Sequence, residues 1–380
     1  MTRELDELRG RAQFRTLDAP AGINLNSNDY LGLASDPRLR RALATAIADA
    51  ASVGGTGSRL LSGNAREWEE AEARFAEFAG TDAALYFGSG YAANVGLLSA
   101  ALKPGDTVFS DAANHASLID GMRLSGATKV IYPHGDLAFL ESGLREHRGK
   151  TGARVIVTET VFSMEGDAAP VDELVRLART HGASIVLDEA HATGVWGPAG
   201  RGMAADRAGE PEILAVVHTC GKALASAGAF VCGPAALRDY LINRARTFIF
   251  STAMPPYLAR QIEAAVALAE AGEPERAHLR EMAALLRGEL TARGFDCGRS
   301  CTQIVPVILG SNEAALHFAS ELQGAGFAVR AIRPPTVSAG TARLRLSLTS
   351  RITGEQVRAL VQAMDEARDS LPRAASAVHA

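Results

Sequence analysis

The sequence is poor in the features that mark membrane, secreted and nucleic-acid-binding proteins. No apolar run reaches the roughly eighteen residues of a membrane-spanning helix, and the start of the chain is charged, without the apolar segment of a signal peptide. The four cysteines form no CxxC pair and are too sparse for a disulfide framework. With 39 basic against 43 acidic side chains, no basic surplus is available for nucleic acid or anionic lipid. We expect a cytoplasmic protein that binds small molecules, and not nucleic acid, a membrane or a metal.

The sequence also has no internal repeat and no low-complexity segment. A hydrophobic content of 47% and a charged content of 22% are typical of globular proteins, and 380 residues suffice for a large domain and a smaller one. The pattern changes after Pro255 and Pro256. We therefore predict three regions: an N-terminal arm (1–45), a large domain (46–255) and a small C-terminal α/β domain (256–380). The arm is expected to begin with a polar helix over residues 1–15, and the C-terminal domain to end in a frayed tail from residue 373.

Short apolar runs alternate with helical stretches through the middle of the chain. These runs are AALYF, DTVFSD, KVIYP, ARVIVTET, SIVLDEA and AVVHTC. Such alternation predicts an α/β fold with a mostly parallel sheet covered by helices on both faces. The run GAFVCG (Gly228–Gly233) follows its predecessor after too few residues for a crossover helix, so we expect that strand to be antiparallel.

Two polar residues follow neighbouring predicted strands. The strand SIVLD ends in Asp188, with His191 three residues later, and the strand AVVHT ends in Thr219, with Lys222 three residues later. Ligands of open α/β sheets gather at the carboxyl ends of strands. Pyridoxal phosphate needs a lysine for its Schiff base and a carboxylate for its pyridinium nitrogen. Taken singly, a lysine is more often a surface charge and a strand-end aspartate a helix cap, but the combination favours the cofactor.

A glycine-rich turn, GSGYAAN (Gly88–Asn94), separates a predicted strand from a helix. Backbone N–H groups at that helix start would bind a phosphate. The same letters fit a dinucleotide-binding fingerprint, with Asp106 or Asp111 as the ribose carboxylate, but that alternative explains neither Lys222 nor Asp188.

Two further residues near the predicted strand ends need an interpretation. His115 either lies against the cofactor ring or caps a helix, and the spacing favours neither. Cys220 has no base provided by the sequence, so we interpret it as a packing residue.

At this point the sequence resembles the α-oxoamine synthases, which are fold-type I pyridoxal-phosphate enzymes similar to aspartate aminotransferase. Nine motifs carry the resemblance over most of the chain: SNDYLGLA, GGTGSRLLSGN, GSGYAAN, NHASLIDG, ETVFSMEGDAAP, DEAHATGVWG, HTCGKAL, RTFIFSTAMPP and RPPTVSAGTARLRLSLT. The resemblance implies a transferase that joins an amino acid to an acyl thioester with loss of carbon dioxide, and a homodimer with shared active sites.

The resemblance also implies a role for particular residues. Lys222 would be the Schiff-base lysine and proton carrier, Asp188 the pyridinium partner, His191 a donor to the phenolic oxygen and His115 the ring-stacking residue. The remaining expected cofactor ligands are Ser163 near the phenolic oxygen, Ser89, Gly90, Tyr91 and Thr219 around the phosphate, and Ser251 and Thr252 on the phosphate of the neighbouring subunit. Asn28 and Arg345 would bind the substrate carboxylate.

The substrates are implied by finer features of the same motifs. The chain is most similar to the branch that joins L-alanine to pimeloyl-CoA or a pimeloyl carrier protein in biotin biosynthesis. Ser58 leaves room for the alanine methyl where glycine-using members have threonine. The alternatives are glycine with acetyl-CoA, or alanine with another acyl chain. Histidines common in the family are replaced around Glu67–Glu69 and at Ile352, and either Arg11 or Arg15 is the arginine of the arm that assists the substrate.

Overall fold

A computed structural model describes residues 1–371, so the tail predicted from residue 373 lies outside the described residues. The chain separates into two compact units. One contains Met1–Asn28, Met164–Asp167 and the residues from Ala277 onward, and the other contains Asp29–Ser163 and Ala168–Arg276. The three regions predicted from the sequence, with limits at residues 45 and 255, stay a prediction.

The helices of the described chain are α1 (Thr2–Gly10), α2 (Pro37–Asp49), α3 (Arg66–Ala79), α4 (Gly90–Ala101), α5 (Ala116–Ser125), α6 (Leu137–Glu146), α7 (Val171–His181), α8 (Ala235–Arg244), α9 (Arg246–Ile249), α10 (Pro256–Glu270), α11 (Glu273–Ala292), α12 (Asn312–Gly324) and α13 (Gly354–Asp369).

Its strands are β1 (Ile23–Asn24), β2 (Ala83–Phe87), β3 (Thr107–Asp111), β4 (Thr128–Tyr132), β5 (Arg154–Glu159), β6 (Ser184–Asp188), β7 (Ile213–Thr219), β8 (Ala229–Gly233), β9 (Ile304–Gly310), β10 (Phe327–Ala328), β11 (Ala331–Ile332) and β12 (Ala342–Ser347).

Local chemistry fixes several helix ends. The carboxylate of Asp36 accepts a hydrogen bond from the backbone N–H of Arg38 at 2.7 Å, and Pro37 occupies the first position of α2. Helix α7 ends at Gly182, which has the left-handed φ of 60°. Helix α1 stops at Gly10, earlier than the fifteen residues predicted, because Ala12 takes a left-handed φ of 53° that no helix continues through.

The larger unit is built on a seven-stranded sheet with the order β2-β8-β7-β6-β5-β3-β4. Strand β8 runs antiparallel to both of its neighbours, and the other pairs are parallel. The predicted α/β class, the mostly parallel sheet and the antiparallel direction of β8 are therefore confirmed.

Neighbouring residues of the central strands belong to different hydrophobic clusters. Val155 and Val157 pack in a cluster with residues of α4 and α5, whereas Ile156 packs with residues of α6 and α7. Because side chains alternate across a strand, the two clusters occupy the two faces of the sheet. Because helices cover both faces of the sheet, a ligand can reach it at the ends of the strands.

The smaller unit contains a three-stranded antiparallel sheet, β11-β12-β9, and the short parallel pair β1-β10. Every residue of β12 is buried. The backbone N–H of Ser347 donates to the carbonyl of Leu25 at 2.8 Å, which attaches the segment after β1 to the end of β12. Across residues 1–371, no helix is both long enough and apolar enough to cross a membrane.

Candidate active site

Asp188 ends β6 with its side chain buried beneath the carboxyl edge of the large sheet. Its Oδ1 accepts a hydrogen bond from the backbone N–H of Ala190 at 2.8 Å, and its Oδ2 accepts one from Nδ2 of Asn94 at 2.6 Å. Two donors on different elements fix the rotation of the carboxylate. The role of Asp188 as the partner of a ring nitrogen stays a prediction.

A chain of hydrogen bonds joins Asp188 to His115. Nδ2 of Asn94 also contacts the hydroxyl of Ser117 at 2.9 Å, and that hydroxyl lies 2.8 Å from Nδ1 of His115. His115 begins α5 as its N-cap, accepting from the backbone N–H of Ser117. His115 therefore caps a helix, and its predicted stacking against the cofactor ring stays a prediction.

The electrostatic surroundings of His115 include two of the predicted catalytic residues. Burial lowers the pKa of His115, Asp188 opposes that effect and Lys222 adds to it. Asp188, His115 and Lys222, which were predicted from separate motifs, are therefore close enough to interact.

Lys222 lies half-buried in the loop between β7 and β8. Backbone hydrogen bonds of 2.9 Å from Cys220 to Gly228 and from Ser226 to Cys220 close this loop. Gly228 has a φ of 83°, and a Cβ there would lie 2.1 Å from the hydroxyl of Tyr86, so the turn requires glycine. The sequence signal HTCGKAL thus marks a tightly built loop that holds the lysine next to Thr219, the last residue of β7.

His191 lies three residues beyond β6 and is buried. Its Nδ1 is 2.6 Å from the hydroxyl of Tyr30, which is itself fully buried. Ser163 is buried in the loop that follows β5, two strands from β7. The sequence predicts no role for Tyr30, although it lies in the motif SNDYLGLA. The same holds for Asn94 in GSGYAAN and for Ser117 in NHASLIDG.

The start of α4 is capped by a side chain and lies close to the end of β7. Ser89 is the N-cap of this helix, and its hydroxyl accepts from the backbone N–H of Ala92 at 3.0 Å. A Cβ on Gly90 would lie 2.7 Å from Cγ2 of Thr219, so this glycine lets the helix start approach the end of β7. Backbone N–H groups at a helix start bind phosphate. Tyr91 is partly exposed, hydrogen-bonds to Asp120, and has its ring at 77° to that of His115.

The two carboxylates that a dinucleotide-binding site would use for the ribose, Asp106 and Asp111, make hydrogen bonds within the protein. Asp106 accepts from the backbone N–H groups of Lys103 and Ala153 at 3.0 and 2.8 Å. Asp111 binds His134 at 2.8 Å. Cys220 is fully buried, and burial raises the pKa of its thiol above the usual range, in keeping with a packing residue.

Three other predicted residues form a group of their own. Ser58 and Thr252 make an antiparallel β-bridge, and the backbone N–H of Ala253 donates to the carbonyl of Gly57 at 2.8 Å. Ser251 and Thr252 are exposed. The hydroxyl of Ser251 donates to the carbonyl of Thr247 at 2.6 Å, and the predicted contact of Ser251 and Thr252 with the phosphate of the neighbouring subunit stays a prediction.

Arg345 and Asn28 come together in the smaller unit. Arg345 is buried on β12, and its Nη2 donates to Oδ1 of Asn28 at 3.0 Å. The two residues predicted to bind one carboxylate are therefore in direct contact. Arg15 donates to the hydroxyl of Thr336 at 2.9 Å, whereas Arg11 offers a backbone carbonyl to Asn312.

The chain matches known proteins over almost its whole length. The family described as aminotransferase class I and II matches residues 20–364. The chain belongs to this family. An 8-amino-7-oxononanoate synthase of Geobacter sulfurreducens is 45% identical over 376 residues, which cover 95% of this chain and 96% of that protein.

Two solved structures extend the comparison to the fold. A serine palmitoyltransferase from S. paucimobilis, with a bound PLP-myriocin aldimine, has a TM-score of 0.88 at 30% identity, covering 97% of this chain and 96% of that one. The crystal structure of an 8-amino-7-oxononanoate synthase from Francisella tularensis has a TM-score of 0.79 at 29% identity, covering 92% and 98%. The family resemblance and the fold class predicted from the nine motifs are confirmed.

Proposed function

We propose that this protein is a pyridoxal-phosphate-dependent acyltransferase that condenses L-alanine with a pimeloyl thioester, releasing carbon dioxide and forming 8-amino-7-oxononanoate for biotin biosynthesis. The near full-length identity of 45% to an 8-amino-7-oxononanoate synthase is the observation that carries this assignment. Enzymes of this kind use an amino acid and an acyl thioester.

The residues at the carboxyl edge of the sheet fit pyridoxal phosphate. The start of α4, with Ser89, Gly90 and Tyr91, suits the phosphate. Thr219 packs close to this helix start because Gly90 has no side chain. The held carboxylate of Asp188 suits the ring nitrogen. His191 and Ser163 suit the phenolic oxygen. When bound, the cofactor supplies a cationic ring that withdraws electrons from the Cα of the amino acid.

Each remaining chemical task falls to a side chain of this protein. Nζ of Lys222 would hold the cofactor and would carry the Cα proton of the amino acid. His115 would stack on the bound ring. The guanidinium of Arg345, oriented by Asn28, binds the substrate carboxylate through paired charge-assisted hydrogen bonds. Ser58 lines the space for the alanine methyl.

The active form is a homodimer in which Ser251 and Thr252 reach the phosphate bound by the partner subunit. Their exposure and their backbone attachment to the Ser58 loop support this assembly. The protein works in the cytoplasm.

The deciding experiment maps the attachment of the cofactor and identifies the product. Protein incubated with pyridoxal phosphate is reduced with borohydride, digested and analysed by mass spectrometry. Besides Lys222 the chain has only Lys103, Lys129 and Lys150, so a label on any of these three contradicts the assignment. Lys222→Ala abolishes turnover, whereas the matched control Lys103→Ala does not.

A second measurement tests the choice of substrates. L-alanine, glycine and serine are each combined with acetyl-, hexanoyl- and pimeloyl-CoA, and the amino ketones are identified by mass. The proposal expects the highest turnover for alanine with pimeloyl-CoA. Faster reaction of glycine with acetyl-CoA would favour a glycine C-acetyltransferase, the alternative within the same chemistry.

A further inference from the structure

The hydrogen bonds around His115 determine which of its nitrogens carries the proton. The backbone N–H of Ser117 is directed at Nδ1 from 3.3 Å, and a backbone N–H can only donate. Nδ1 is therefore an acceptor, and the neutral ring has its proton on Nε2. The hydroxyl of Ser117, 2.8 Å from the same nitrogen, must give its single hydrogen to Nδ1.

The same reasoning fixes the amide of Asn94. Since the Ser117 hydroxyl has given away its hydrogen, it accepts from Asn94 at 2.9 Å, and the second hydrogen on Nδ2 points to Oδ2 of Asp188 at 2.6 Å. The opposite orientation of the amide would bring its oxygen to 2.6 Å from a carboxylate oxygen, which is repulsive. Both hydrogens of one buried NH2 group are thus committed, one to Asp188 and one to the hydroxyl of Ser117.

We propose that Asn94 is a positioning residue whose two amide hydrogens fix the carboxylate of Asp188 and hold the Ser117 hydroxyl as a donor to Nδ1 of His115. This inference rests on the proposed function, because it assigns the two ends of the chain to the nitrogen and the face of one cofactor ring. Oδ1 of Asp188 is already held by Ala190, so Asn94 removes the remaining rotation. At the other end, Nε2 of His115 stays the donor.

The charged groups acting on His115 are Asp188 and Lys222, and burial acts with Lys222 against protonation. Asn94 adds a directional restraint to these. While Asn94 donates to Ser117, the Ser117 hydroxyl cannot accept a hydrogen from Nδ1 without losing its own donation. Protonation of Nδ1 would therefore break two hydrogen bonds, the one from the Ser117 hydroxyl and the one from the Ser117 backbone.

Two substitutions separate these effects. Asn94→Leu has a similar size and removes both donated hydrogens. Asn94→Asp has a similar shape but offers oxygens to Ser117, so the Ser117 hydroxyl turns toward residue 94 and no longer donates to Nδ1 of His115. Ser99→Ala is the matched control, because Ser99 is on the same helix and its hydroxyl donates only to the carbonyl of Val95, at 2.6 Å.

The first readout is the nitrogen-15 NMR spectrum of the histidine rings in protein without cofactor, with His115 assigned by its loss in His115→Gln. In the wild type and in Ser99→Ala we expect an Nε2–H tautomer with Nδ1 accepting. In both Asn94→Asp and Asn94→Leu we expect Nδ1 to be protonated at a higher pH than in the wild type, because the Ser117 hydroxyl is then no longer held as a donor to it. An unchanged titration of His115 in both variants would overturn the inference, and if Asn94→Leu does not fold, Asn94→Asp alone decides it.

The second readout is the affinity for pyridoxal phosphate, followed by absorbance. Losing a hydrogen bond to a charged group predicts at least about ten-fold weaker binding by Asn94→Leu, with Ser99→Ala unchanged. If the wild type binds the cofactor and Asn94→Leu binds it equally well, the inference fails and the proposed function stands. If the wild type binds none, the proposed function fails and the cofactor part of the inference fails with it, while the NMR result still decides the hydrogen-bonded chain.

Discussion

Arg59 and Glu72 form a buried two-point ion pair directly beside Ser58. Nη1 and Nη2 of Arg59 lie 2.9 and 3.1 Å from the two carboxylate oxygens of Glu72, and Nε donates to Asn64 at 2.6 Å. Glu72 also accepts from the backbone N–H of Tyr86 at 3.0 Å. The loop that carries Ser58 is therefore attached to α3 and β2 through one guanidinium.

Removing one partner of this pair is expected to destabilise the fold strongly. Arg59→Leu leaves the carboxylate of Glu72 buried without its counter-charge, which costs about 3–5 kcal/mol. The free energy of unfolding from urea titration measures the effect. Arg179→Leu, which breaks an exposed contact with Glu212, is the control and costs at most about 1 kcal/mol. A smaller loss in Arg59→Leu/Glu72→Leu than in Arg59→Leu would identify the unpaired charge as the cause, and an equal or larger loss would refute it.

Glu189 makes the stability depend on pH. Burial raises its pKa from 4.5 to about 7, against the hydrogen bonds that its carboxylate accepts from the backbone of Met203 and Ala204. The folded protein then binds more protons than the unfolded chain between pH 4.5 and about 7. Glu189 therefore contributes on the order of 3 kcal/mol to the free energy of unfolding below pH 4.5. This contribution is lost as the pH rises through about 7.

This pH dependence is measured by urea unfolding at intervals across that window. Glutamine does not titrate, so Glu189→Gln is expected to be less stable in acid but to show no fall in the free energy of unfolding as the pH rises. The control Glu355→Gln, at an exposed position, should keep that fall. A decline of equal size in Glu189→Gln would show that other groups cause it.

The positions of Asp188 and Lys222 at strand ends can be predicted from the sequence. Each follows a recognisable apolar strand, and parallel strands bring their carboxyl ends to one edge. The direction of β8 followed from the short connection before Gly228. What could not be predicted depends on packing between distant elements. Asn94 meets Ser117 only through the packing of α4 on α5, and Tyr30 meets His191 across 161 positions of the chain.

Hybrid dimers test whether the active sites are shared. Lys222→Ala subunits lack the lysine, and Ser251→Ala/Thr252→Ala subunits lack the residues that we propose reach the partner's phosphate. A dimer with one subunit of each kind has one site with both lesions and one with neither. Mixing the two inactive or weakened proteins should therefore restore turnover. If subunit exchange is verified by native mass spectrometry and activity stays absent, the sites are not shared.

Arg345→Lys tests the binding of the substrate carboxylate. Lysine keeps the charge but cannot present two parallel N–H groups or keep the geometry of the contact with Asn28. We expect weaker alanine binding by roughly 1.5–3 kcal/mol, with the affinity for pyridoxal phosphate unchanged. The control is Arg343→Lys, two positions away on β12, whose arginine binds the carbonyl of Met164. Equal losses of alanine affinity in both variants would point to distortion of β12 rather than to a lost substrate contact.

Ser58→Thr tests the choice of amino acid. The carbonyl of Ser58 accepts from the backbone N–H groups of Leu61 and Gly63, both at 2.9 Å, and the β-bridge to Thr252 holds the other side of the loop. Because Arg59 anchors the next residue, the loop cannot move away from its contacts. An added methyl at position 58 should therefore crowd the methyl group of a bound alanine. The ratio of turnover with alanine to turnover with glycine should fall in Ser58→Thr and stay unchanged in Ser62→Thr, a control in the same loop. If the wild type prefers glycine, or if Ser58→Thr leaves the ratio unchanged, the proposed alanine specificity fails, whereas the attachment of the cofactor to Lys222 is decided separately by borohydride labelling.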